Sequence, residues 1–195
     1  MSRRRQLTSV VLSIGLIAAI IGLSRTVPDP EYKYGAIASS GDIKEKVTTE
    51  AFGVTVHKIE LAKTVVIKEP FQKPEKLPTP GMWLVIEATG VSLDQPIAFK
   101  NITLHTSGGY VYRAMQPTAV ENTLLDAALQ PMIPHRAPIL IEVDPAHLAG
   151  GKLFLQTDFD VRLSAQARVD LELTEERADQ LVADARRRYV LQGSS

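Results

Sequence analysis

Four histidines, His57, His105, His135 and His147, are the residues of this chain best suited to hold a metal or to move protons near neutral pH. Their spacing suits neither task. A preorganised metal site on a strand or helix needs ligands two or four residues apart, and no two of these histidines stand so. Each reads singly as a surface or structural residue. Asp158 and Asp160 are two apart and would face one side of a strand, where they could offer oxygen to calcium, but no glycine-bearing loop of further ligands accompanies them, so they read as a solvated face. Ser107 lacks the Gly-x-Ser-x-Gly frame of a strained nucleophile elbow and is accounted for by turn geometry. Gly108 and Gly109 precede a strand pattern, not the helix that a phosphate-binding loop requires. Asn101-Ile102-Thr103 fits a glycosylation acceptor, a pattern common by chance. With no cysteine in the chain, disulfide, thiolate-metal and lipoprotein-anchor chemistry are excluded. The expectation is a protein that is not an enzyme and uses no cofactor or metal.

The elements around these residues fall into four parts. Arg3, Arg4 and Arg5 form a basic stub over 1–6, and Leu7–Leu23 (LTSVVLSIGLIAAIIGL) carries no charge. As a helix that run spans roughly 26 Å, short but sufficient for a bilayer, and predicts a transmembrane segment over 7–24. The basic residues before it place the N-terminus in the cytoplasm and all that follows outside. A cleaved secretory signal begins the same way, but its small-x-small site should follow closely, and Ala36-Ile37-Ala38 comes late. Gly15 and Ala19 are spaced to pack against another membrane helix. Residues 25–46, with two prolines and mixed charge, read as a linker.

From 47 to 173 the pattern is that of short strands. Phe52, Val54 and Val56 alternate, then Ile59 and Leu61, so the phase slips at His57-Lys58 and predicts a bulge. Glu69–Gly81 holds four prolines and reads as a loop. Met82–Leu93 is apolar on both faces, as in a central strand. Phe99–Thr106 and Tyr110–Ala114 form a hairpin over Ser107-Gly108-Gly109. Residues 119–129 suggest a short helical crossing, and strands return at Ile139–Val143, Lys152–Gln156 and Ala167–Leu173. Over 174–195 the period changes to that of a helix capped by Thr174, with Arg186–Arg188 at its far end and Ala178, Leu181, Val182, Ala185 and Tyr189 in one apolar stripe. That stripe is expected to pack on the sandwich, with a partner or membrane surface as its other use; the arginines could also touch anionic lipid.

Five segments, AFGVTVHKIEL, GMWLVIEATG, ITLHTSGGYVYRA and PILIEVDPAHLAGGKLFLQ with the proline-rich stretch between the first two, resemble the bacterial secreted immunoglobulin-like family. That family includes the small mycobacterial immunoprotective antigens and many membrane-anchored or lipoprotein domains often labelled after telomeric-repeat-binding factor. The matching residues are Gly81–Glu87, Gly109-Tyr110 and Ile141–Pro145, within residues 50–157. The resemblance implies a mainly β, immunoglobulin-like antiparallel β-sandwich outside the cytoplasm, here with one N-terminal transmembrane helix and a C-terminal amphipathic helix. It implies no activity.

The charge balance narrows the function. Of 22 basic and 22 acidic residues, three basic ones precede the apolar run and no acidic one does. The remainder is slightly acidic, which excludes a general nucleic-acid binder. The expected function is a membrane-anchored extracytoplasmic interaction module that binds and helps assemble or regulate another cell-envelope or integral-membrane protein. The alternative is an envelope carrier of lipid or a small apolar ligand. The candidate partner-binding residues are Phe71, Leu77 and Met82 in and beside the proline-rich loop, Met132 and Ile133 among prolines further on, and Leu181, Val182 and Tyr189 of the helical stripe.

Overall fold

The computed structural model describes residues 37–68, 73–117, 123–125, 127–159 and 164–192. The expected membrane segment over 7–24 and Phe71 lie outside them. Among the described residues, no helix is long and apolar enough to cross a membrane.

The described residues form ten strands in chain order: β1 Ile37–Asp42, β2 Lys46–Thr48, β3 Phe52–Lys68, β4 Glu75–Ser92, β5 Asn101–His105, β6 Val111–Arg113, β7 His135–Val143, β8 Lys152–Gln156, β9 Ala165–Asp170 and β10 Tyr189–Gln192. Among the described residues one α-helix, α1, covers Glu175–Ala183. The strands form two five-stranded groups: β1-β9-β8-β5-β6 in one sheet, and β10-β3-β4-β7 in the other with β2 also on β3. The sandwich expectation holds, with one difference. Two edge pairs, β1 with β9 and β10 with β3, are parallel.

The core between the sheets follows from period-two patterning. Leu84, Ile86 and Ala88 of β4 and Ile139, Ile141 and Val143 of β7 meet Ile102, Leu104, Leu153, Leu155, Ala167 and Val169 of the other sheet. Phe52 and Phe99, both fully buried, pack edge to face at 4.9 Å. The predicted bulge is present: the β3–β4 register shifts between Val56 and Lys58, which moves the inward positions from Val54 and Val56 to Ile59 and Leu61. A second shift, between Ala62 and Thr64, precedes a separate apolar cluster of Val65, Ile67, Trp83, Val85, Leu140 and Leu191. On β4 and β7, odd-numbered Trp83 and Val85 and even-numbered Leu140 are out of phase with the main core, so the two-faced apolar character of Met82–Leu93 serves two clusters.

Four expectations are corrected. First, residues 37–46 are not wholly linker. β1 pairs with β9 from Ile37↔Ala165 to Asp42↔Asp170, so the sandwich begins ahead of Val47; small residues in IASSGD hide the strand from a hydrophobicity reading. Second, the proline-rich stretch is strand from Glu75 onward, with Pro78 opposite Thr64 and Lys76 opposite Val66. This extension runs past the end of β7, whose pairing starts at Met82, so one of its edges lacks a ladder and tolerates residues without an N–H. Third, the described residues of 119–129 are not helical: Leu125 bridges Phe99 and Leu129 bridges Ile97 as a chain laid along the sandwich.

The fourth correction is at the C-terminus. Thr174 caps α1 as expected, its hydroxyl accepting from Arg177 N at 3.2 Å, with Glu175 and Glu176 in the first turn. The helix then ends at Ala183, and Arg186 leaves it to bond both ways along β3: Arg186 N donates to Leu61 O at 2.8 Å and Lys63 N donates to Arg186 O at 2.9 Å. Beyond it Tyr189 and Leu191, two apart, share one face of β10 and cover the second cluster. A continued helix would place only one of the two against the sheet.

Candidate binding surfaces

Strand register sets Met132 and Ile133 apart from Leu77 and Tyr189 along β3. Met132 N donates to Ser92 O at 2.9 Å, and Ser92 pairs with Phe52 at the start of β3. Leu77 and Tyr189 instead flank Val65 from opposite sides, near the end of β3. Phe52 and Val65 are thirteen residue steps apart along β3, roughly 40 Å of strand. Leu77 and Tyr189 are half-buried against the second cluster. Burial first, then the carboxylates of Glu87 and Glu60, push the Tyr189 phenol above its ordinary pKa.

Met82 is half-buried against the main core and pairs with Val143. Leu181 and Val182 are half-buried as well, packing with buried Ala178 from α1 onto the same core. The helical stripe therefore packs on the sandwich over its first turns. Met132 and Ile133 differ from all of these. They are 73% and 60% exposed, in a turn held by Met132 N to Ser92 O and by Ile133 N to Gln130 O at 3.3 Å. Met132 sits at φ 60°, a left-handed conformation that costs a residue with a side chain about 1–2 kcal/mol.

Three of the four histidines have an identified neighbour of their own. His57 Nε2 and the Thr89 hydroxyl share a hydrogen bond of 2.8 Å, and His105 Nε2 lies 3.1 Å from the Thr103 hydroxyl with its ring 4.2 Å from that of Phe154. His135 is exposed at the start of β7, and His147 stacks on Tyr110 at 4.0 Å. Among the described residues no three histidine, aspartate or glutamate side chains are grouped to hold a metal.

The sequence reading missed the exposed apolar positions of the hairpin, Tyr110 and Val111, and Met115 just beyond it. β6 ends its sheet, and from it the chain crosses to the edge of the other: Ala114 bridges Ile141, and Met115 N donates to Leu140 O at 2.8 Å. Turn chemistry at Gly109, with φ 79°, identifies a hairpin, but no local signal says which of its strands ends a sheet.

No family model matches this sequence, and no curated protein matches it. Three solved structures are similar in fold. A secreted protein from Mycobacterium tuberculosis, MPT63, superposes with a TM-score of 0.50 at 15% identity, over 69% of this chain and 98% of its own. The yjhA protein from Bacillus subtilis gives 0.49 at 13% over 67% and 98%, and an uncharacterized β-sandwich protein from Clostridium difficile 630 gives 0.46 at 17% over 73% and 98%. At 15% identity the likeness to the mycobacterial protein is one of architecture, and it agrees with the two packed sheets described above: the chain is a β-sandwich protein.

Proposed function

We propose that this protein is an extracytoplasmic interaction module, carried on a membrane by the apolar segment over 7–24, that docks another cell-envelope protein through the Met132-Ile133 turn. The observation that carries the reading is the pairing of exposure with strain. An exposed methionine held at positive φ gains nothing for the fold that asparagine or glycine would not supply at lower cost, and such strain concentrates where a chain meets a partner. Pro131 and Pro134 stiffen the turn, which lowers the entropic cost of binding. Export is in keeping with the uncharged run after Arg3–Arg5 and with the secreted character of the mycobacterial protein that shares the sandwich.

Purification of the full-length protein from its native membrane in mild detergent, with mass spectrometry of co-purifying proteins and lipids, tests this. A stoichiometric integral-membrane partner, lost on M132S/I133S while the melting temperature holds, supports the module. Recovery of the protein alone with bound lipid overturns it in favour of the carrier.

A further inference from the structure

A cavity of about 180 Å³ lies where three elements meet: the turn after β1, the bulge of β3 and one side of α1. Its apolar wall is Ile43, Ile59 and Leu181; its polar wall is Lys44, Lys58, Arg177 and His57. No carboxylate lines it. The register shift after Val56 turns His57 and Lys58 toward this side of the strand pair, and the helix brings Arg177 and Leu181, four residues apart on one face.

The charges can be counted. Lys58 Nζ is 2.6 Å from Glu60, a carboxylate it shares with Arg186 at 2.7 Å, and Arg177 is 3.1 Å from Glu172, so two of the three lining cations have a carboxylate partner outside the cavity. Lys44 pairs with no carboxylate among the described residues. It is also strained, at φ 72°, in a turn fixed by Lys44 N donating to Val56 O at 2.8 Å and Ile43 N to Asp170 O at 2.9 Å. Glycine or asparagine would hold that turn more cheaply. The lysine leaves an unpaired positive charge beside an apolar wall.

We propose that this cavity binds a small organic monocarboxylate, its charge at Lys44 and a short alkyl tail against Ile43, Ile59 and Leu181. The volume is that of about six waters, enough for a carboxylate bearing a few carbons and too small for a long acyl chain. The inference is independent of the membrane anchor and of the partner-docking turn.

Titration of the full-length protein in detergent micelles with sodium butyrate, acetate and phosphate, followed by amide chemical shifts, tests it. Butyrate is expected to saturate with a Kd on the order of 1 mM, moving the amides of residues 43–44, 57–59 and 177–181. Acetate, two methylenes shorter, should bind about fifteenfold more weakly, because each buried methylene is worth about fourfold. Lys44→Asn, which keeps the turn, should weaken butyrate at least tenfold with the melting temperature unchanged or raised, and Lys44→Arg should restore binding. Failure of butyrate to saturate by about 50 mM, equal affinity for acetate and butyrate, preference for phosphate, or indifference to Lys44→Asn each overturns the proposal.

Discussion

Met132 gives the plainest residue-scale prediction, because its strain and its exposure separate stability from function. Met132→Asn should raise stability by about 1 kcal/mol in chemical denaturation, since asparagine accepts the left-handed conformation and little apolar burial is lost, while partner recovery falls. His105 gives a second. Burial, and then the Arg168 guanidinium, lower its pKa below the ordinary 6.5. The unfolded chain therefore takes up the proton first, so this histidine's contribution to stability is whole above about 6.5 and fades as pH falls through the folded midpoint. A histidine-detected NMR titration should place that midpoint below 6.5, and Arg168→Gln should raise it only part of the way, because burial remains. The wide separation of the four histidines along the chain was legible in the sequence. The use of Lys44 was not, because a lysine between charged neighbours, Asp42 and Glu45, reads as linker until the strand pairings on both sides of it are known.

Among the elements, the two that composition assigned wrongly carry the most information about stability. The proline-rich extension of β4 crosses the end of β7 at Gly81, where a Cβ would lie 2.3 Å from Val143 O, a backbone atom that cannot step aside. Gly81→Ala should cost about 2 kcal/mol or more in equilibrium unfolding, against near neutrality for Gly109→Asn in the open hairpin turn. β10 closes the second cluster with Leu191, 4% exposed, so Leu191→Ala should cost about 2–3 kcal/mol, more than Val190→Ala on the exposed face of the same strand. Strong alternation and turn residues made β3, β4, β5 and β8 readable, including the bulge at His57. What could not be read was strand pairing at a distance: IASSGD becomes a strand only because β9 offers its edge, and YVLQ leaves the helical pattern only because β3, at 17 residues, outruns β2 and leaves free edge for a second partner.

For the whole molecule, the absence of cysteine makes topology directly measurable. Ser107, exposed in the hairpin turn, can be replaced by cysteine without a competing thiol, and a membrane-impermeant maleimide should label Ser107→Cys in intact cells as fully as in lysed ones. The two ends of the sandwich differ in what they expose: one shows Met132 and Ile133 beside the start of β3, while Leu77 and Tyr189 at the other pack against the second cluster. The most direct test of the interaction-module reading is photo-crosslinking in the native membrane from two exposed positions at those opposite ends, Ile133 and Val190. A discrete adduct to one envelope protein from position 133, with none from position 190, is the predicted result; adducts of equal yield from both positions, or none from 133, would contradict it.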